Sequence, residues 1–433
     1  MLNTILIEKW CTKLKKKGKA NNFRITNRLT PDMRLHRNVA LGILLGLENV
    51  LIKKRSASEV LKKLLRSNRS WGGKDRRTIG KIFYDIIRQK LFFEALTSTT
   101  ENNHWPLLGC WMVLNEHQLP DWEEFENMNP TSLLAKAAVL SQQRRYRYSI
   151  PEWMDKMGVE SMGEALWEKE MASLNTPAEL VIRVNTLKLT VPKLKSILEK
   201  KYKIVSHRIP DYPNALLIEK KQPLHQLAEY RNGYFEVQDA NSQKIVPWLN
   251  PEANQLYVDT CAGAGGKSLH LATLTGDAAK IIAVDIAPLK LQELIKRCKR
   301  NNIKSVEVIP ADKTEKLNTL IRAAQGVLID APCSGMGVLK RNPDTKWNIT
   351  PEKLDELIVL QRNILKTYAP MVKKGGSLIY ATCSILPAEN QHQLAHFLES
   401  KLGKSFAMDN EHTYYSHQTG FDGFYCACLT RVM

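Results

Sequence analysis

Two short motifs in the C-terminal half each present a cysteine followed by a serine. They are Ile329-Asp330-Ala331-Pro332-Cys333-Ser334-Gly335-Met336-Gly337 and Tyr380-Ala381-Thr382-Cys383-Ser384. Each follows an apolar run of strand character, so both cysteines are expected at one edge of a sheet. A single cysteine is most often a small buried apolar residue. Two at consecutive strand ends, one beside Asp330-Ala331-Pro332, point to chemistry instead. A thiolate there suits one problem in particular. The C5 carbon of cytosine is a poor nucleophile. Sulfur adding at C6 makes C5 enamine-like, able to take a methyl group from a sulfonium, and loss of the C5 proton then expels the thiol. Asp330 is the candidate acid for the N3/N4 edge of the base, which must leave its stack to enter such a pocket.

A sulfonium donor needs a cradle. An earlier strand ends Val258-Asp259-Thr260 and runs into Cys261-Ala262-Gly263-Ala264-Gly265-Gly266-Lys267-Ser268. Glycines let a backbone turn tightly and approach a ligand at a helix N-terminus. Two ligands compete for this turn. Gly265-Gly266-Lys267-Ser268 resembles the end of a nucleotide-binding P-loop, with Val327-Leu328-Ile329-Asp330 as its acidic strand. The P-loop pattern, however, needs glycine five residues before Gly266, where this chain has Cys261. The rival is a nucleoside cofactor, which calls for an acid at the next strand end to hold ribose hydroxyls. Ile281–Asp285 supplies Asp285, and a third strand is read as ending at Asp312, facing an adenine amine. Without the G-x-G-x-x-G pyrophosphate fingerprint, this fits S-adenosylmethionine (SAM) better than NAD.

The elements that must position these residues alternate in type. Strands are expected at Leu256–Asp259, Ile281–Asp285, Ser305–Ile309, Gly326–Asp330, Gly376–Thr382 and Phe424–Thr430. Helices are expected at Lys267–Leu274, Pro288–Lys299, Thr314–Ala324, Pro351–Val372 and Glu389–Leu402. That alternation defines an α/β, doubly wound, mainly parallel sheet over residues 246–433, with ligands beyond the carboxyl ends of its strands. Residues 146–245 read as a small α+β module in the order β-α-β-β-α-β, a plan shared by many RNA-binding domains. Residues 34–145 read as helical. Ser56-Ala57-Ser58-Glu59 has the form of a capping box, and Ile79, Ile82, Phe83, Ile86 and Ile87 form an apolar stripe.

Composition sets the outer limits. The chain has 433 residues, 43% hydrophobic and 25% charged, which excludes wholesale disorder. No apolar run approaches the ~18 residues of a membrane span. The net charge of +19 suits a polyanionic partner. Ten Lys/Arg against two acids fall within residues 1–40, so 1–33 reads as a basic flexible arm. No apolar h-region follows it, as a secretory signal would require. The eight cysteines lack any C-x-x-C pair, and the expectation is reduced thiols in the cytoplasm. Cys426-Ala427-Cys428 is explained by strand alternation rather than by metal.

These motifs resemble the RsmB/Sun family of RNA cytosine-C5 methyltransferases. The resemblance rests on Val258–Lys267, Asp330–Gly335, Arg341–Trp347, Ala381–Ser384 and Phe421–Phe424. Upstream it includes Arg183–Lys188, Val237-Gln238-Asp239 and Ser242, and a helical stretch at Lys74–Arg88 similar to a NusB-like RNA-binding domain. It implies a Rossmann-like class I methyltransferase domain, preceded by an all-α NusB-like domain and an RRM-like module. It further implies Cys383 as the nucleophile and Cys333 as the residue that assists product release. Cys261, Ala262, Gly263, Ala264, Gly265, Gly266, Lys267, Asp285, Asp312 and Asp330 would bind SAM, and Lys267 would also reach the base. The implied partner is RNA, as small-subunit rRNA, with neither metal nor membrane and with the chain acting as a monomer. One departure is that the family's Ala-Ala-Pro-Gly-Gly-Lys reads here Ala262-Gly263-Ala264-Gly265-Gly266-Lys267. Losing proline loosens the turn, while the extra glycine permits the same backbone path. A non-catalytic RNA-binding assembly factor and, less favoured, a P-loop NTPase are the competing readings.

Overall fold

The computed structural model of the protein describes residues 34–98 and 103–433, so the basic arm 1–33 lies outside the described residues. The chain divides into two compact units. One runs to Pro177 and takes in Leu339–Thr350; the other comprises Ala178–Val338 and Pro351–Met433.

The first unit is helical. Its main helices are Arg37–Leu51, Ala57–Ser67, Gly73–Arg88, Lys90–Thr97, Trp105–Leu114, Pro130–Leu140, Glu152–Met162 and Glu164–Leu174. The stripe at Ile79, Ile82, Phe83, Ile86 and Ile87 is fully buried, as its spacing predicts. The capping box expected at Ser56 does not form. The Ser56 side chain caps nothing, and its hydroxyl lies 3.1 Å from that of Ser58. The N–H of Ala57 instead donates to the Asp344 carboxylate at 3.0 Å. A carboxylate is the stronger acceptor and also complements the positive end of the helix.

Asp344 belongs to the Leu339–Thr350 segment, which is tied into this unit by buried polar bonds. The Lys346 ammonium donates to the carbonyls of Arg88 and Tyr148 at 2.8 and 3.0 Å and to Asn175 Oδ1 at 3.0 Å. Both carbonyls lie at helix C-termini, where unpaired acceptors need donors. The Arg88 guanidinium donates in turn to the carbonyls of Leu339 and Lys340, and Trp347 Nε1 donates to the carbonyl of Ile87 at 2.7 Å.

The second unit holds two sheets. The smaller contains β1 (Leu180–Val184), β2 (Ser206–Ile209), β3 (Tyr212–Ile218) and β4 (Phe235–Val237), antiparallel in the order β2-β3-β1-β4. With helices Val191–Tyr202 and Ala228–Arg231 it realises the expected β-α-β-β-α-β order. The larger contains β5 (Leu256–Asp259), β6 (Lys280–Asp285), β7 (Val306–Pro310), β8 (Ala324–Asp330), β9 (Val372–Thr382), β10 (Phe406–Tyr414) and β11 (Phe424–Arg431), in the order β10-β11-β9-β8-β5-β6-β7. Strands β5 to β9 pair in parallel, whereas β11 runs antiparallel to both β9 and β10. This is the doubly wound sheet that the strand–helix alternation predicts.

Further details differ from expectation. Strand β10 was not anticipated, because Asp409, Asn410, Glu411 and His412 make it a polar edge strand without an apolar signal. The helix read over Thr314–Ala324 stops at Asn318, and Ala324 opens β8. The helix from Pro351 ends at Tyr368, just before the turn Ala369-Pro370-Met371, and Val372 opens β9. A proline cannot continue the backbone ladder there.

The capping assignment leads to a paired expectation. Asp344→Ala should lower the unfolding free energy by about 1 kcal/mol, a typical loss for a helix cap. Ser56→Ala should leave it within ~0.5 kcal/mol. Denaturant titration of the two variants measures the difference.

Candidate active site

The carboxyl ends of β5, β6, β8 and β9 carry the site. After β5 the chain turns through Cys261–Gly265 into the helix Gly266–Leu274. Gly263 and Gly265 hold positive φ of 56° and 84°, a region that side chains disfavour. A Cβ on Gly265 would stand 2.0 Å from Leu294, whereas one on Gly263 would meet nothing within 4 Å. The turn is therefore packed behind Gly265 and open over Gly263. Asp285, the last residue of β6, accepts the N–H of Gly263 at 2.8 Å and that of Ala287 at 2.8 Å. Beside it Ile286 is 88% exposed, an apolar surface with little packed on it.

Residues of the small sheet brace this turn. Arg183 on β1, itself buried, donates to the carbonyl of Gly266 at 2.8 Å and to Gln238 at 2.6 Å. Buried Glu236 on β4 pairs with Arg297 at 2.9 Å and Arg300 at 2.5 Å, and Arg297 donates on to the carbonyl of Ala264 at 2.6 Å. The carbonyls of Ala264 and Gly266 are thereby each held by a charged donor.

Lys267 points across to Asp330 at the end of β8, with Nζ 2.6 Å from Oδ2 and 5.4 Å from the Phe424 ring centroid. Burial alone would push the Lys267 pKa down, but the charge and hydrogen bond of Asp330 outweigh it and keep the ammonium protonated. Beneath them Asp259 is fully buried and accepts the Ser268 hydroxyl at 2.6 Å. Its other oxygen has no partner, and burial pushes its pKa up to about 7.

The two cysteines meet. Asp330 on β8 lies in register with Ala381 on β9. Three and two residues further on, the sulfurs of Cys333 and Cys383 are 3.3 Å apart. Cys261 is a different kind of thiol. Burial pushes it up to about 12, which makes it inert as a nucleophile at neutral pH.

Of the residues singled out in the sequence, the fold brings together Cys333 with Cys383, Lys267 with Asp330, and Asp285 with the Cys261–Gly265 turn. Asp312 stands exposed, two residues past the end of β7. Motif reading missed Arg183 and Glu236 as braces of the turn. It also missed Glu389, read as opening a helix but found in a turn before the helix Gln391–Glu399. Arg183 opens the Arg183–Lys188 motif, which gave no role for it, and Glu236 and Glu389 stand as isolated charges in the sequence.

A parallel sheet with glycines after its first strand, an acid ending the second and functional groups beyond the fourth and fifth defines a Rossmann-like methyltransferase fold. Comparison with known proteins agrees. Residues 246–430 match the family "16S rRNA methyltransferase RsmB/F", and residues 150–225 match "Methyltr_RsmF/B-like, ferredoxin-like domain". The chain is 30% identical over 290 residues to the ribosomal RNA small subunit methyltransferase B of Proteus mirabilis, covering 67% of this chain and 68% of that protein. It is 34% identical over 255 residues to the probable ribosomal RNA small subunit methyltransferase B of Synechocystis, covering 58% of this chain and 57% of that protein. The protein belongs to the RsmB/F family.

Solved structures share the fold. The crystal structure of PH0851 superposes with a TM-score of 0.76 at 23% identity, covering 92% of this chain and 100% of that one. NSun6 from Pyrococcus horikoshii with SFG gives 0.60 at 21% identity, covering 65% and 98%.

The raised Asp259 carboxyl has a consequence for stability. Its folded pKa lies above the unfolded value of ~3.9, so the folded state binds the proton more tightly, and stability is lost as pH rises through about 7. Asp259→Asn cannot take on the charge. Its melting temperature relative to the parent should therefore rise between pH 5 and pH 9, as followed by thermal unfolding at several pH values.

Proposed function

We propose that this chain is a SAM-dependent RNA cytosine-C5 methyltransferase that modifies small-subunit rRNA. The observation that carries this reading is the pair of sulfurs 3.3 Å apart at the ends of β8 and β9, beside the Lys267–Asp330 ion pair. The names of the curated relatives support the rRNA substrate.

The residues fit SAM. The Asp285 carboxylate, placed at the end of β6, would hold ribose hydroxyls. Exposed Ile286 offers a face for adenine, the open side of Gly263 admits the ligand backbone, and Asp330 would meet the methionine end. Exposed Asp312 would reach the adenine amine from the rim. When bound, SAM supplies an electrophilic methyl group. Cys261, Ala262, Ala264, Gly265 and Gly266 contribute backbone shape rather than side-chain chemistry.

The remaining steps belong to this chain. Cys383, as thiolate, forms the S–C6 bond to a flipped cytosine, and the ring electrons move toward C5. Asp330 hydrogen-bonds the N3/N4 edge, and the Lys267 ammonium faces the charge that builds on the ring. After methylation C5 loses its proton, the C5=C6 bond re-forms and the S–C6 bond breaks. Cys333, adjacent to Cys383, assists that release. The +19 charge gives RNA phosphates a counterpart. This reading places the protein in the cytoplasm, acting as a monomer. Among the described residues no helix is long and apolar enough to cross a membrane, and no His/Cys/Asp/Glu group could hold a metal.

With small-subunit rRNA and radiolabelled SAM, Cys383→Ala should abolish methyl transfer. Cys333→Ala should retain the RNA as a denaturant-stable adduct. Full activity of Cys383→Ala defeats the assignment, and SAM binding without turnover on RNA would favour a non-catalytic assembly factor. Bisulfite sequencing of rRNA from a deletion strain names the cytosine.

A further inference from the structure

The pairing of the two sulfurs needs more than the sheet. Strands that pair ~4.8 Å apart bring their ends together, but the loops beyond are free to diverge. Both cysteines lie in such loops, past the last paired residues Asp330 and Ala381. Something beneath the loops must hold them.

That something is a single carboxylate. Glu389 is completely buried. Its Oε1 accepts the N–H of Ser334 at 2.7 Å and the amide of Gln361 at 3.0 Å, and its Oε2 accepts the Ser334 hydroxyl at 2.5 Å. Gln361 also donates to the carbonyl of Pro332 at 2.9 Å. The residues on either side of Cys333 are thus fixed through one anchor. The same anchor is tied to the other loop. The Tyr380 hydroxyl donates to the Glu389 carbonyl at 2.8 Å, Asn390 donates to the carbonyl of Ser384 at 3.0 Å, and the Ser334 and Ser384 hydroxyls lie 3.4 Å apart. Among the described residues no ammonium or guanidinium pairs with Glu389. Three donors converge on its two oxygens, and a neutral amide in its place would turn an N–H toward one of those donors.

We propose that Glu389 is a positioning residue of the reaction: its carboxylate locks the Cys333 turn against the Cys383 turn and so sets the separation of the two sulfurs. This rests on the reading of Cys333 and Cys383 as the reacting thiols. The titratable groups around the pair are Glu389 and Tyr380 on the Cys333 side and Lys267 with Asp330 on the Cys383 side. Hydrogen bonding to Cys383, burial and the Glu389 charge all push the Cys333 thiol up. Cys333 is thus the thiol held toward its protonated form, 3.3 Å from the sulfur of Cys383.

The test separates geometry from activity. Dibromobimane becomes strongly fluorescent when both of its arms are taken by neighbouring thiols, so its bridging rate reports the Cys333–Cys383 separation without RNA. SAM binding and the melting curve serve as folding controls. In folded Glu389→Gln, bridging should fall about fivefold or more. The kcat for methyl transfer should fall about tenfold or more with KM for RNA within about twofold, because a displacement of ~1 Å at reacting groups is costly. The pH profile of bridging should move toward acid, since the negative charge that opposed ionisation of Cys333 is gone. Glu389→Asp, which keeps the charge, should restore the pH profile and part of the bridging. Parent-like bridging, kcat and pH profile in Glu389→Gln overturn the proposal. Should that variant fail to bind SAM, Ser334→Ala carries the test, with bridging expected to fall about twofold and an unchanged rate counting against the proposal. If the parent itself methylates no RNA, the functional reading fails while bridging still decides whether Glu389 holds the thiols.

Discussion

The parallel pairing of β8 with β9 is the constraint on which the site depends. Asp330 lies opposite Ala381, so two cysteines fifty residues apart in the chain leave the sheet side by side. Alternation along a strand has a period of two, and a slip of one residue would turn one of the motifs away from its partner. The register is fixed by what lies behind it. Val327, Ile329, Leu378 and Tyr380 are completely buried in one core and Leu328 and Ile379 in another, so a slip would exchange side chains between two separately packed interiors. The apolar interior of the sheet thus determines the separation of two polar groups at its rim.

A second layer of control comes from charges placed out of water. Arg183, Glu236 and Lys267 are all buried, and each is satisfied by a partner of matching character. Lys267, in the helix after β5, pairs with Asp330, while Arg183 and Glu236 act on the turn between β5 and that helix. Backbone groups there have no ladder to complete, so the small antiparallel sheet supplies donors through Arg183 and, by way of Glu236 and Arg297, to Ala264. The two sheets of this unit therefore share a hydrogen-bonded seam at the place where a ligand would sit.

Much of this was legible in the residues. Glycines after β5, acids ending β6 and β8, and the paired cysteines sit where strand–helix alternation puts them, because ligand geometry and strand ends are local properties of a sequence. What was hidden is non-local or polar. Strand β10 carries no apolar period, since an edge exposed to water has no need of one. Ser56 has the residues for a capping box, yet Asp344, nearly three hundred positions away, takes the N–H. Glu389 looks like an ordinary helix-opening acid until its four contacts to Ser334, Gln361 and Tyr380 are seen. Long-range hydrogen bonds leave no spacing to read.

The segment Leu339–Thr350 has a consequence for the order of assembly. The helical unit is synthesised first, and domains commonly fold as they emerge. Here the helix ends at Arg88 and Tyr148, and the first turn at Ala57, lack their donors and acceptor until residues Asp344 and Lys346 have been made. During synthesis this unit is a nearly finished bundle with open hydrogen-bonding positions, closed only after β5 to β8 of the other unit have passed through the ribosome. Its last stabilising contacts therefore arrive from a segment made only after most strands of the other unit, and a chain truncated before that point would leave both units incomplete.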